Sequence, residues 1–409
     1  MTTIALLGAM DTKGAEYAFV KQCIESRGHR TLVIDFGVLG PPRLEPDITR
    51  DQLADAAGVN LQELAAGQDR GEAMAAMARG AAVLIPRLYQ EGRFQGILAL
   101  GGGGSTSVAC AAMRSLPLGA PKVMVSTVAG TDVSGYVGGV DIVMIPAVVD
   151  VAGINSISRE VFSRAAGAVC GMVETEVPPG EDRPLVVASM FGNTTPCIET
   201  AKAILEQAGY EVLVFHATGV GGRTMEHLIA SGRIRGVLDI TTTEWADELV
   251  GGVLRAGPER LEAAARCGVP AVIVPGCLDM VNFWAPETIP EKFQGRLFYR
   301  HNPNITLMRT TPEENRQLGH IFAQKLNQSR GPVAVFVPKR GFSMIDAPGG
   351  PFWQPEADQA FADALRQNLR PDISLQEMDA NINDPEFART CAETLLGLIQ
   401  QVQPTEPRP

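Results

Sequence analysis

Apolar residues fall in short runs along the chain, each stopped by glycine or a polar residue and followed by an amphipathic stretch. Ile4-Ala-Leu-Leu-Gly8 predicts a strand buried on both faces, and residues 13–27 carry Tyr17, Val20 and Ile24 at helical spacing before Gly28. Thr31–Phe36 predicts a second strand. The rhythm continues with a helix around Glu72–Gln90, strand Gly96–Leu100, a helix from Ser105, strands Lys122–Ser126 and Ile142–Ile145, and a helix near Asn155–Met172. Residues 37–68, rich in Pro and Asp, read as a long loop reaching over a site. Strand alternating with helix implies a parallel sheet with right-handed crossovers.

An acidic, proline-containing stretch, Glu174–Pro184, interrupts the pattern, which then restarts. Ile4-Ala-Leu-Leu-Gly8 aligns with Leu185-Val-Val-Ala-Ser189, and the same offset of 181 residues pairs Gly28 with Gly209 and Asp35 with His216. Phe94–Leu100 matches Ile234–Ile240, and Pro121–Val125 matches Pro270–Val274. Three matches in one order define an internal repeat. The second half adds strands Val333–Val337 and Ile373–Met378, with helices near Glu356–Leu369 and from Asp384. Between Cys277 and Asn327, Phe283, Trp284, Phe293, Phe298 and Tyr299 require an ordered segment, because exposing them together is costly. The expected fold is α/β: two Rossmann-like three-layer domains with mainly parallel sheets, residues 1–178 and 184–409, repeated around a cleft.

Charge and composition narrow the function. A net charge of −11 without a basic run argues against nucleic-acid binding. No apolar stretch approaches the ~18 residues of a membrane span. The start, MTTIALLGAMDTKG, lacks the basic region of a signal peptide, and the seven cysteines are scattered without a C-x-x-C pair. These features lead to the expectation of a soluble cytoplasmic protein with reduced thiols. The five histidines show no metal-ligand spacing. Glycine is in excess, 43 of 409 residues, in clusters such as Gly101–Gly104.

In open α/β sheets ligands bind beyond the carboxyl ends of the strands. In the first half these ends carry Asp11, Thr12 and Lys13; Asp35; Gly101, Gly102, Gly103, Gly104, Ser105 and Thr106; and Thr127, Gly130 and Thr131. Glycines let backbone N–H groups approach an anion, hydroxyls donate, and a helix start favours negative charge. The set suits a phosphorylated ligand, with Lys13 on a phosphate and Asp35 near a ribose. Neither G-x-x-x-x-G-K-[ST] nor G-x-G-x-x-G occurs, and a turn with hydroxyl caps is the lesser alternative for the glycines. Gly103-Gly-Ser105-Thr-Ser107 nearly matches a hydrolase nucleophile elbow but lacks its last glycine. The second half replaces the glycine run with Thr241-Thr-Thr-Glu244, followed by Asp247, and adds Asp279, Asp346 and Asp379 at strand ends. Such carboxylates suit Mg²⁺ binding or acid–base work, and equally helix caps. Arg309 is a candidate anion clamp and His301 a candidate proton shuttle.

Together, Asp11-Thr-Lys-Gly-Ala-Glu16, Gly101–Thr106, Thr241–Leu249, Val274–Asn282, Phe298–Pro303, Arg309–Glu313, Ile345–Gly350 and Ile382-Asn-Asp384 resemble one family along nearly the whole chain. It is the ATP-binding domain family of the plant tomato mosaic virus resistance protein and its bacterial relatives. The resemblance implies two Rossmann-like subdomains, a nucleotide with Mg²⁺ in the N-terminal half, and a homodimer. Some relatives carry His before Ile-Asn-Asp, where this chain has Asn381. The plant proteins carry a further barrel domain, and their antiviral role is not carried over.

The resulting expectation is an ATP-binding enzyme with Mg²⁺, its ligand between the halves, which transfers a phosphoryl or nucleotidyl group to a small metabolite such as an organic acid. Glu244 or Asp279 would act as base or metal ligand, with His301 and Arg309 assisting. Two other classes stay open: a nucleotide-dependent binding protein without turnover, and a metal-dependent lyase or hydrolase built on the second half's carboxylates.

Overall fold

Four consecutive apolar side chains, Ile4 to Leu7, are fully buried. They form the centre of a strand whose alternate residues enter two different cores: Ala5 and Leu7 on one face, Ile4 and Leu6 on the other. A strand that is apolar on both faces needs helices on both sides, so a three-layer arrangement follows. The computed structural model describes residues 2–61 and 69–402. The chain divides into two units, Met1–Pro179 and Gly180–Pro409.

Unit 1 runs β1 (Thr3–Gly8), α1 (Met10–Glu25), β2 (Arg30–Asp35), α2 (Arg50–Ala56), α3 (Arg70–Gln90), β3 (Gly96–Gly101), α4 (Gly103–Arg114), β4 (Lys122–Ser126), α5 (Ser134–Val137), β5 (Val143–Pro146) and α6 (Ser156–Glu174). Its sheet has the order β2-β1-β3-β4-β5. Every pairing in it is parallel. α1 begins at Met10, earlier than its apolar spacing predicts, so Asp11 lies in its first turn. Within 37–68, expected to be loop, the Thr49–Gln52 capping box starts α2, while 62–68 lie outside the described residues.

Unit 2 runs β6 (Leu185–Met190), α7 (Thr195–Gln207), β7 (Glu211–His216), α8 (Val220–Ala230), β8 (Ile234–Thr241), α9 (Glu244–Val250), α10 (Ala263–Cys267), β9 (Ala271–Gly276), β10 (Met280–Phe283), β11 (Phe298–Asn302), β12 (Ile305–Arg309), α11 (Pro312–Leu326), β13 (Val333–Pro338), α12 (Pro355–Asn368), β14 (Ser374–Met378) and α13 (Pro385–Gln401). Its parallel sheet reads β7-β6-β8-β9-β13-β14. The first five positions repeat the order of unit 1, so the internal repeat seen in the sequence is a repeat of topology. The aromatic stretch after Cys277 is ordered as a separate antiparallel sheet, β10-β12-β11. No strand was expected there. Its short runs lack the uninterrupted apolar pattern of the parallel strands, because only part of it is buried.

In both parallel sheets the strand order reverses beyond the edge pair, β2-β1 or β7-β6. In unit 1 the reversal falls between β1 and β3, and in unit 2 between β6 and β8. Crossovers leave on opposite faces at such a point, opening a crevice at the strands' carboxyl ends.

Candidate functional site

A tyrosine bridges β1 and β3 of unit 1 where their pairing ends. Pairing of β1 with β3 ends at Leu7 and Ala99. Beyond it the buried Tyr17 hydroxyl donates to the Leu7 carbonyl at 2.6 Å and accepts from the Leu100 N–H at 2.7 Å. Burial pushes the Tyr17 phenol far above its ordinary range. Gly8 makes room for the ring, since a Cβ there would lie 2.1 Å from the Tyr17 Cζ atom.

Gly101–Thr106 leaves β3 on the far side of this crevice and enters α4. The first helical bond is Thr106 N–H to the Gly102 carbonyl at 2.9 Å, and no side chain caps the helix start. Gly101 is required by packing, because a Cβ would fall 2.4 Å from that of Ser105. The next three glycines are different. None has a left-handed φ, and a Cβ at Gly102, Gly103 or Gly104 would meet nothing closer than 3.6, 3.6 and 3.5 Å. Alanine fits all three positions. Gly103 and Gly104 are the first two residues of α4.

The neighbouring groups sort into scaffold and surface. Thr106, expected on a phosphate, is buried, bonding the Gly102 carbonyl at 2.9 Å and the Ser126 hydroxyl at 2.6 Å; it fixes the loop to β4. Thr127 is exposed, with Oγ1 beside Gly102, and Ser105 is half-buried. Thr131, expected on a phosphate, lies in a turn, its hydroxyl donating to the Val128 carbonyl at 2.8 Å. Gly130 is exposed with nothing near it. Tyr136 on α5 also reaches the glycine run, its hydroxyl 3.6 Å and Val128 Cγ1 3.9 Å from a Cβ at Gly103. Sequence reasoning missed it, although a lone aromatic in Ser134-Gly-Tyr-Val-Gly-Gly139 was the available signal.

Asp35, expected near a ribose, is buried within unit 1. It accepts from the N–H groups of Met10 and Gly37 at 2.9 and 2.8 Å, and pairs with Arg50. Asp11 binds the N–H of Leu39 at 2.8 Å and also packs against Gly37, so it fastens the 37–40 loop. Thr12 is exposed in the first turn of α1. Lys13 donates to the Val151 carbonyl.

Unit 2 closes its equivalent crevice with its own side chains. Ser189 stands where unit 1 has Gly8; its hydroxyl accepts from Thr241 N–H at 2.8 Å and donates to Asp239 at 2.6 Å. Thr194 and Thr241 join through their hydroxyls at 2.7 Å, and Thr241–Thr243 are fully buried. Glu244, expected to be a base or metal ligand, is also internal. Its Oε1 accepts from Gly219 and Gly222 N–H at 2.6 and 3.1 Å at the start of α8, and Oε2 accepts from Arg260 at 2.8 Å. Arg260 also binds Asp239 at 2.7 Å and Glu226 at 3.3 Å. A Cβ at Gly222 would fall 2.1 Å from Glu244, so here glycine is required by a carboxylate already in place.

Arg309 is likewise no open clamp. Buried, it binds Asp358 at 2.7 Å, Asp346 at 3.2 Å and the Phe352 carbonyl at 2.8 Å. Asp279 completes the group and accepts from Ser343 at 2.8 Å. Burial pushes Asp279, Asp346 and Asp358 above the usual carboxylate range, against the pull of Arg309. His301 is exposed on the edge strand β11, with no hydrogen bond from its ring to another described residue. The four residues expected to perform chemistry therefore do not form one exposed site. The carboxylates pair with arginines distant in sequence, a relation local motifs do not carry.

Fold and crevice define a doubly wound α/β protein made of two topologically equivalent units. The chain belongs to the family described as Uncharacterised protein family (UPF0261): the N-terminal domain model matches residues 2–178 and the C-terminal domain model residues 183–399. A UPF0261 protein of Clostridium tetani is 50% identical over 97% of this chain and 99% of its own length. The ToMV resistance protein Tm-1(GCR237) of Solanum lycopersicum is 41% identical over 83% of this chain, which spans 46% of that protein. A solved UDP-N-acetylglucosamine 2-epimerase from Rickettsia bellii aligns over 98% of this chain and 96% of its own at 10% identity and a TM-score of 0.24, too slight a likeness to bear on function. Among the described residues no helix is long and apolar enough to cross a membrane.

Proposed function

We propose that unit 1 binds a nucleotide, ATP in the first instance, through phosphates seated on the backbone N–H groups of Gly102–Ser105. One observation carries this reading: three successive glycines at an uncapped helix start that neither backbone conformation nor packing requires. A ligand approaching the backbone explains them, because a phosphate held by successive N–H groups excludes a Cβ. Mg²⁺ would arrive on the phosphates, as it keeps several waters and needs few protein ligands. Thr127 and Ser105 stand beside the run to donate. The chemistry would be phosphoryl or nucleotidyl transfer to, or activation of, a small metabolite such as an organic acid, for which positioning and charge neutralisation suffice. A cytoplasmic setting accords with seven cysteines that are all unpaired thiols.

The test is titration calorimetry with ATP and Mg²⁺ on the wild type and a Gly103→Ala/Gly104→Ala variant. The variant should bind ATP at least tenfold more weakly while unfolding at higher denaturant, by about 1 kcal/mol in total, since each alanine restricts the unfolded chain. Unchanged affinity overturns the reading.

A second reading, binding without turnover, is favoured by the engagement of Glu244, Asp279 and Arg309 in buried ion pairs or hydrogen bonds. Incubation with ATP, Mg²⁺ and a pool of metabolites separates the two: ADP, AMP or phosphate release supports transfer, and undiminished ATP supports binding alone.

A further inference from the structure

We infer that Thr2, His29 and Glu174 form an acyl-acceptor site at the amino end of the unit 1 sheet, with the Thr2 hydroxyl as nucleophile, His29 as base and Glu174 as positioning residue. The Thr2 hydroxyl lies 2.5 Å from His29 Nδ1, and His29 Nε2 lies 2.7 Å from Glu174 Oε1. A carboxylate only accepts, so Nε2 carries the hydrogen of the neutral imidazole and Nδ1 is left as the acceptor. The Thr2 hydroxyl therefore donates to Nδ1. A hydroxyl in reach of a base that a third group orients is the arrangement nucleophilic acyl transfer uses.

The fold does not ask for these side chains. Gly28, in the left-handed region, turns the chain from α1 into β2 and sets His29 beside Thr2, whose carbonyl accepts from Arg30 N–H at 2.9 Å. Unit 2 makes the same turn with Gly209, yet the offset of 181 residues puts Arg183 and Tyr210 where unit 1 has Thr2 and His29. Glu174 is the last residue of α6, the helix end that disfavours a carboxylate. The His29 side chain is only 8% exposed, so the base is shielded from water, whereas Thr2 is half-buried and open to a reagent.

The substrate class follows from the neighbouring donors. Thr3 N–H is engaged by the Gln95 side chain at 2.9 Å and Arg30 N–H by the Thr2 carbonyl. With these N–H groups taken, an attacked carbonyl gains little support at its oxygen, which suits acyl groups activated beforehand: thioesters and acyl phosphates. Attack forms the bond from Thr2 Oγ1 to the acyl carbon and breaks that carbon's bond to sulfur or to the phosphate oxygen. The hydroxyl proton passes to His29 Nδ1 and from there to the leaving thiolate or phosphate.

The experiment incubates the full chain separately with acetyl phosphate and with S-phenyl thioacetate, and follows acetylation by peptide mass spectrometry. Hydroxylamine distinguishes esters, which it releases, from amides, and thermal unfolding is recorded for every variant. The wild type should gain a hydroxylamine-labile acetyl group on Thr2 at least ~100-fold faster than on any exposed serine or threonine of the same chain, the size expected of a positioned base. The donor that reacts identifies the class. Thr2→Ser should retain the reaction, Thr2→Val should lose it, and His29→Gln should slow it at least ~100-fold. Glu174→Gln should slow it more than Glu174→Asp, because charge rather than shape holds the imidazole. No label on Thr2 from either donor, a label that resists hydroxylamine, or a Thr2 rate no greater than that of exposed hydroxyls overturns the site. Equal rates in Glu174→Gln and the wild type overturn the positioning role.

Discussion

The N–H groups at the start of α8 end on the Glu244 carboxylate, whereas those at the start of α4 end on no side chain of the described residues. A helix start is electropositive in either case. Unit 2 neutralises it from within and then balances the buried carboxylate with Arg260. Removing one partner of a buried pair is strongly destabilising, because the other charge stays behind. Glu244→Gln should therefore cost about 3 kcal/mol of unit 2 stability, read from denaturant unfolding, by the general cost of breaking a buried pair. It should leave ATP affinity unchanged. A variant that folds as stably as the wild type yet loses turnover would return Glu244 to the catalytic role its sequence context invited.

Among the elements, the turn between β9 and β10, the end of β12, the loop after β13 and the start of α12 meet around Arg309. One guanidinium serves three aspartates there, so the group is proton-hungry. On α9, Asp247 is pushed to about 7 by burial, against hydrogen bonds from Asn282 and Leu254. A carboxyl whose folded pKa is raised contributes stability that is present in full below its unfolded value, about 4, and is lost as pH rises through the folded value. Unit 2 should accordingly unfold more easily at pH 8 than at pH 5.5, and Asp279→Asn should flatten that fall. A pH-independent midpoint would show that these carboxyls stay charged in the folded state.

The parallel strands were legible beforehand because burial on both faces writes an unbroken apolar run, as in Ile4–Leu7 and Ala271–Val274. β10–β12 were not, since a half-covered antiparallel sheet leaves mixed residues such as Arg300 and His301. The glycine run was legible as a candidate site. The duties of Asp35, Glu244 and Arg309 were not, because the sign of a charge says nothing about whether its partner is a ligand or a distant side chain of the same chain. Arg260 carried no motif at all.

For the whole molecule, two units with separate cores and one proposed ligand site predict asymmetric behaviour. Calorimetry should resolve two unfolding transitions. ATP at a hundred times its dissociation constant should raise one of them by about 5–10 °C, from ~2.7 kcal/mol of linkage and roughly 2–4 °C per kcal/mol at this domain size. Hydrogen exchange should assign the shifted transition to unit 1, and a shift of the unit 2 transition instead would contradict the site. The internal carboxylate of unit 2 has a further bearing on survival under proteases. A half that carries its own counter-anion unfolds at a rate indifferent to metabolic state. A half that borrows one from solution is cut faster whenever nucleotide runs short. On the proposed nucleotide reading, proteolysis of unit 1 would quicken as nucleotide falls, whereas that of unit 2 would not respond.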